Sequence, residues 1–475
     1  MFVDRVQELA FLSRIVERRR PGPAQLILLY GRRRVGKTAL LQQWTQQSGI
    51  ATTYWTAEKE PAALQRRKFY AALAGLPVNQ APVFASWAEV WMAAATMVAD
   101  QRHILVLDEL PYAMESDPAT LSALQHAWDH AFQQMACILV LCGSQVRVME
   151  LLQTHQSPLF GRFTGQWHLQ PLPYSGLRAF FPTWSAEERI AVFALVGGIP
   201  AYLTWLDPDL SLVENLREVI LAPGSMFAAE PMFLLYDEVR EPQTHLAILK
   251  AIGAGAHTLD QISNAALIGK THLSAYLMRL QDLKLVERRL PATVPTAKQR
   301  TSRRGRYHLR DNFFRFYFRF LAPAHDTLAV APQQVQQQIQ AGLRAFVGQT
   351  AFEDLARQWI IEQGQAGQLP FVPHVVGSHW SRTVQIDVVA VNWQTRTILL
   401  GECKWGHAHI DRPVVRELIA TKTPRVLADL PDTGQGWQVV YAFFARRGFT
   451  EAAQQEALRH GAILIDAVKL DHELG

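Results

Sequence analysis

Cysteine is scarce in this chain: three residues in 475, at positions 137, 142 and 403. So small and odd a number argues against a disulfide framework, and no C-x-x-C or His/Cys grouping has zinc-ligand spacing. Cys137 and Cys142 lie five apart in a strand-like run, so period-two alternation should send them to opposite faces and keep them from pairing. Long apolar runs are missing too. Segments such as LILLY and ILVLCG are strand-length, well short of the ~18 residues that a membrane span needs. Asp4, Arg5 and Glu8 interrupt the start of the sequence, so no signal-type apolar segment is expected there. These absences lead to the expectation of a cytoplasmic protein without a membrane partner.

What is present is apolar bulk and unevenly placed charge. The length predicts roughly two to four domains, and with 49% hydrophobic residues each can bury a core. The formal net charge is only +5, yet residues 284–319 hold eleven Lys/Arg against two acids, Glu287 and Asp311. A patch of that density commonly meets phosphate backbones; a solvated face is the plainer reading.

Near the start, the apolar run QLILLY (25–30) feeds directly into GRRRVGKT (31–38) and then into the helix-periodic ALLQQWTQQ. This is the strand–loop–helix context of a P-loop. Its backbone N–H groups and the helix N-terminus would hold phosphates, so Gly31, Arg32, Arg33, Arg34, Val35, Gly36, Lys37, Thr38 and Ala39 are expected to line an ATP site. Lys37 would neutralise the β/γ oxygens and Thr38 would bind Mg2+. A second run, ILVLDEL (104–110), ends in Asp108 and Glu109, which places two carboxylates at the C-terminal edge of a buried strand. Asp108 would serve the magnesium shell, and Glu109 would polarise the attacking water. A third buried run, CILVLCGSQ (137–145), ends in Ser144 and Gln145, candidates for sensing the γ-phosphate. Arg162, in SPLFGRFTG, is a candidate for the γ-phosphate in cis or from a neighbour; an ordinary loop arginine is the alternative.

Taken together, FVDRVQEL, GRRRVGKT, LVLDELP, SPLFGRFT and VGGIPAYL resemble the archaeal-type ATPase family, in the STAND branch of P-loop NTPases, over roughly residues 1–235. The resemblance implies that residues 2–9 lie beside the adenine and that Pro200 reaches the nucleotide from a helical lid. One departure is Gln145, where the family often has a second serine.

From His245 the pattern changes to three short helices (HLAILKAIGAGA, TLDQISNAAL, KTHLSAYLMRLQDL), two strand-like pieces and a turn-rich connection between them. This describes a winged helix. Its hairpin tip carries Lys298, Arg300, Arg303, Arg304 and Arg306 with no acids, which would contact nucleic acid, DNA first, through phosphates and without base reading. A rigid connector is the competing reading. In the preceding helix only Lys270, His272 and Arg279 are plausible contacts. Phe313, Phe316, Tyr317 and Phe320 form one helical stripe, suited either to packing or to base stacking.

Residues 333–340 are glutamine-rich, fitting a linker or a solvated helix. Beyond them the order is a helix containing Glu353, a strand QIDVVAV with Asp387, and a strand TILLGECKW with Glu402 and Lys404. A hairpin would join Asp387 to Glu402 and Lys404, which share a face by alternation. Two carboxylates can hold a divalent cation that polarises a phosphodiester, with Glu353 adding a further ligand. The layout resembles PD-(D/E)xK nucleases, with Ile386 where the motif's proline would stand. His407 and His409 are neighbours on one face, more plausibly exposed than metal-bound.

The expected fold class is α/β: a P-loop NTPase core (1–170), a helical lid (171–240), a winged helix (241–322), a linker (323–340) and a C-terminal PD-(D/E)xK nuclease-like domain (341–475). The expected function is an ATP-hydrolysing regulator of nucleic-acid processing. The rival is an ATP-gated, non-enzymatic switch on DNA or a protein partner, with an inactive nuclease fold.

Overall fold

In the computed structural model, residues 2–17, 24–99, 101–239 and 241–475 are described. They form two compact units: residues 1–172 with Ile199–Tyr202, and residues 173–198 with 203–475.

The first unit is built on a five-stranded parallel sheet: β1 (Gln25–Tyr30), β2 (Ala51–Thr56), β3 (His103–Asp108), β4 (Cys137–Gly143) and β5 (Gly165–His168), in the order β2-β3-β4-β1-β5. β1, β3 and β4 are buried along their whole length and apolar except at Gln25, His103 and Asp108, because helices cover both faces. Leu26, Leu28, Leu105, Leu107, Leu139 and Leu141 enter one core, while Ile27, Leu29, Ile104, Val106, Ile138 and Val140 enter the other. Each such side chain, fully buried, contributes roughly 1.5–3 kcal/mol. The same alternation puts Cys137 in the first core and Cys142 in the second, both as free thiols. β3 does not touch β1; β4 lies between them. The C-terminal ends of all three therefore open on one edge, where open α/β sheets bind ligands.

The second unit begins with short helices and Ala186–Val196, started by a capping box between Ser185 and Glu188. Helices Pro242–Gly253, Leu259–Ala266 and Lys270–Asp282 follow, then an antiparallel pair, β6 (Val286–Arg289) and β7 (Arg306–Leu309). The glutamine-rich stretch is no free linker: it forms helix Pro332–Val347, anchored by fully buried Val335 and Ile339. The C-terminal sheet contains β8 (Val375–Trp380), β9 (Gln385–Asn392), β10 (Thr397–Lys404), β11 (Gln438–Ala445) and β12 (Ile463–Asp466), in the order β12-β11-β10-β9-β8. β8, β9 and β10 are antiparallel, whereas β10, β11 and β12 run parallel. Asp471, in the last helix, is bound by the Arg189 guanidinium and the Tyr174 hydroxyl from the start of this unit. That buried network ties the two ends of this unit together.

Candidate functional sites

The loop after β1 is shaped by its glycines. A side chain at Gly31 would run into the Leu169 carbonyl, and Gly36 has φ +96°, a region open to glycine. Lys37 then starts helix Lys37–Ser48 and folds back over the loop, its Nζ donating to the carbonyls of Gly31 (3.0 Å) and Arg32 (3.2 Å). Among the described residues no carboxylate bonds this buried ammonium. Arg33 donates to the Tyr112 hydroxyl, and Arg34 has φ 65°. Val35 is buried, and its carbonyl accepts from Arg5 Nη2 at 2.9 Å, which fastens the 2–9 segment to the loop. Pro200 stands over the loop: its Cγ would lie 3.8 Å from a Cβ at Gly36.

Opposite the loop, Thr38 Oγ1 donates to Asp108 Oδ2 at 3.0 Å, and the Tyr54 hydroxyl donates to the same oxygen at 2.6 Å. Burial and the neighbouring Asp108 raise the Tyr54 pKa, so it stays a proton donor. Tyr54 has no motif signal; only the β2–β3 pairing brings it to Asp108. Glu109 has φ 50°, a left-handed conformation uncommon outside glycine. Its Oε2 accepts from Ser144 N (3.0 Å) and Ser144 Oγ (2.8 Å). Ser144, rather than Gln145, is thus the side chain from β4 that meets the β3 carboxylates. Arg162 is not brought into this group. Its guanidinium is bidentate on Asp129 (2.8 and 2.7 Å) and also donates to the carbonyls of Pro158 and Phe160.

In the C-terminal sheet, β9 and β10 pair from Asn392↔Thr397 to Val388↔Gly401. Continuing that register sets Asp387 directly opposite Glu402, on one face. The paired ladder stops there, and Asp387 Oδ2 instead accepts from Cys403 N at 3.0 Å. The register slip that would have sent Asp387 to the other face has not occurred. Burial, then the charge of Glu402, raises the Asp387 pKa. Glu353 is pushed up to about 8, by burial first and by Asp387 second. Arg357 bridges the two, donating to the Asp387 carbonyl (2.8 Å) and to Glu353 (3.4 Å).

One expectation needs correction here. Among the described residues no three His, Cys, Asp or Glu side chains are grouped to hold a metal ion, so Glu353, Asp387 and Glu402 are not a three-carboxylate cage. Glu402 Oε2 is bonded to Lys404 (2.9 Å) and Oε1 to Lys422 (2.6 Å), which occupies both oxygens. Lys422, on the far side of a π-turn, is a site residue that spacing rules do not reach. His407 and His409 are exposed.

The basic hairpin is docked over part of its length. Its connection folds down onto β8 instead of projecting: Ala292, Thr293 and Val294 are buried, and Ala292 N donates to Ser378 O. The Arg304 guanidinium donates to the Trp380 carbonyl while the Arg304 carbonyl accepts from Trp380 Nε1 at 3.0 Å, and Arg306 lies 4.9 Å from the Trp380 ring centre. Lys298, Arg300 and Arg303 remain exposed. Lys270 is paired with Asp260, and His272 is exposed. Of the aromatic stripe, Phe313, Phe316 and Tyr317 are buried in the core, and Phe320 is half-buried.

The loop, the buried ammonium and the paired Thr38–Asp108 oxygens define the first unit as a P-loop nucleotide-binding fold. Residues 2–206 match the family model described as an ATPase domain predominantly from Archaea, and residues 317–414 match one described as archaeal and bacterial proteins of unknown function. An uncharacterized protein of Methanocaldococcus jannaschii is 32% identical over 407 residues, covering 85% of this chain and 88% of that protein. An uncharacterized ATP-binding protein of the same organism is 48% identical over 50 residues, 10% of this chain and 80% of that protein. The chain belongs to this family of archaeal-type ATPases. Among solved structures, it is similar to the Walker-type ATPase of Pyrococcus abyssi (17% identity, TM-score 0.46, covering 67% of this chain and 96% of that one). It is also similar to the Aeropyrum pernix ORC2 protein (17%, TM-score 0.48, 71% and 95%). Among the described residues no helix is long and apolar enough to cross a membrane.

Proposed function

We propose that this ATPase regulates nucleic-acid processing, through a winged helix formed by helices 242–282 with the β6–β7 hairpin and a metal-dependent, nuclease-like site on β9 and β10. The observation that carries the reading is the placement of Asp387 directly across from Glu402, with Lys404 bonded to Glu402, where the two strands part.

At the nucleotide site the donor set fits Mg2+-ATP. A buried ammonium without a carboxylate calls for an anion, and a hydroxyl beside a carboxylate suits a hard cation that keeps several waters. When bound, Mg2+-ATP supplies the scissile phosphoanhydride and the cation charge. Lys37 would hold the β/γ oxygens, Thr38 and Asp108 would hold the ion, and Glu109 would orient the attacking water. In the arrangement described above, Glu109 is committed to Ser144, so hydrolysis requires that bond to loosen. Arg162 would have to leave Asp129 to act in cis, or be offered to a second copy.

At the C-terminal site, Asp387 and Glu402 would supply two carboxylates to a divalent ion, with Lys404 and Lys422 transferring from Glu402 to a phosphate oxygen. A second reading has one specific observation behind it. Both Glu402 oxygens are already neutralised by lysine, as in a fold that has kept its shape but binds a partner without cleaving it.

Cleavage assays with Mg2+ or Mn2+ on single-stranded, duplex and branched substrates, with and without ATP, separate the two. The nuclease reading expects cleavage that Asp387→Ala abolishes while ATP hydrolysis persists. Cleavage that survives Asp387→Ala, or none on any substrate, leaves the non-enzymatic switch.

A further inference from the structure

Within the second unit lies a cavity of about 330 Å3 that belongs to neither site above. Its walls come from the end of helix Pro242–Gly253, the β6–β7 hairpin, the aromatic helix and residues 342–350. Arg289, Arg315, Arg319, His257, His308 and Gln349 face it, and no carboxylate does. Behind the wall, Glu287 pairs with Arg289 at 2.6 Å and Asp354 pairs with Arg315 at 2.6 Å, which fixes two of the guanidinium groups. Arg319 is exposed and has no hydrogen-bond or ion-pair partner among the described residues. The three arginines thus outnumber the two acids that serve them.

The histidines reinforce this. Their rings stack at 4.3 Å, and His257 Nδ1 donates to the Tyr307 carbonyl at 2.9 Å, leaving its Nε2 for the far side. Burial, then the charge of Arg289, pushes the His308 pKa down to about 2. The smaller, electrostatic part of that shift comes from Arg289, His257 and Arg315, three basic side chains that line the same cavity. Phe320 and Phe346, 5.4 Å apart, line the cavity with an apolar surface.

We infer that this cavity binds a phosphate monoester carried on a nucleotide-sized body. The unpaired Arg319 guanidinium can meet phosphate oxygens bidentately, and Arg289 and Arg315, although paired with Glu287 and Asp354, leave the cavity with a surplus of positive charge. The volume lies at the lower end of small-molecule sites, roughly 300–1,000 Å3, and the phenylalanine wall suits a flat ring. The ester could be a free mononucleotide or the 5′-phosphorylated end of a strand. The inference does not depend on the cleavage reading.

The test is calorimetric titration of the full chain carrying Lys37→Ala, which silences the nucleotide loop, with inorganic phosphate, AMP, and a short oligonucleotide bearing either a 5′-phosphate or a 5′-hydroxyl. AMP binding that Arg319→Ala weakens roughly tenfold or more, the loss of one charge-assisted contact, supports a free nucleotide. The same dependence seen only with the 5′-phosphorylated strand supports a strand end. Arg319 is exposed and unpaired, so its replacement should leave the circular dichroism spectrum and melting temperature unchanged. Arg289→Gln provides a second, inward-facing check. The inference is overturned if neither AMP nor the phosphorylated strand binds at millimolar concentration, if the 5′-hydroxyl strand binds equally well, or if affinity ignores both arginines.

Discussion

Lys37 and Lys422 are both helix lysines that reach a carbonyl or carboxylate just beyond a sheet strand, in one case 5% exposed and in the other half-buried, yet their partners differ. The Lys37 ammonium is bonded to two carbonyl oxygens, whereas that of Lys422 is bonded to the Glu402 carboxylate. A buried cation with only carbonyl partners is under-compensated, and an anion completes it. A carboxylate held by two ammonium groups is already compensated, so a metal ion must displace a lysine to reach it. The first site is therefore poised for its ligand, while the second is held closed by its own side chains.

The largest effect that bears on this contrast is at the open site. Lys37→Ala should cost ATP roughly 2–5 kcal/mol of binding, the penalty for truncating one partner of a buried charge pair. Glu109→Gln should keep affinity within a few-fold and slow hydrolysis by roughly 10²–10⁴. Nucleotide titration with single-turnover hydrolysis measures both. Normal turnover in Glu109→Gln would remove the water-orienting role.

The basic hairpin sharpens the contrast between docked and free charge. Replacing Lys298, Arg300 and Arg303 with glutamine should reduce the slope of log K against log salt by about 0.9 for each lost phosphate contact on duplex DNA. Arg304→Gln and Arg306→Gln should leave that slope alone and lower the melting temperature by about a kelvin or a few, because the Arg304 guanidinium donates to the Trp380 carbonyl and that of Arg306 lies over the Trp380 ring. A slope that follows Arg304 and Arg306 instead would mean that the hairpin undocks to bind.

A smaller effect concerns acid. His308 has its folded pKa depressed to about 2 against an ordinary 6.5, so the unfolded chain takes up the proton first. Stability should be full above pH ~6.5 and fall as pH drops below it. Urea unfolding at pH 7 and pH 5 should show a smaller loss in His308→Gln than in the native chain. An equal loss in both would place the acid sensitivity elsewhere.

How much of this was legible in the sequence follows from range. The loop, β1, β3 and β4 are local patterns, and GRRRVGKT together with LVLDEL located Lys37, Thr38, Asp108 and Glu109 before any geometry. The three helices and the hairpin strands were legible from periodicity and turn residues. Spacing could not show Tyr54, whose role depends on pairing between β2 and β3, or Lys422, which reaches Glu402 from a helix twenty residues away. Nor could it show that Arg304 and Arg306 are spent on Trp380, since a run of arginines reads the same whether docked or free. Asp387 stood between: its strand was readable, but its face depended on the register, which the paired ladder supplies.

The reading proposed for Asp387 and Glu402 is a cation site that Lys404 and Lys422 hold closed. Mn2+ titration of the nucleotide-free full chain, followed by electron paramagnetic resonance, tests it most directly. Lys422→Gln frees one oxygen of Glu402 and should tighten Mn2+ binding several-fold, and Asp387→Ala should abolish that tightened binding. Mn2+ affinity that is indifferent to both substitutions would contradict the claim.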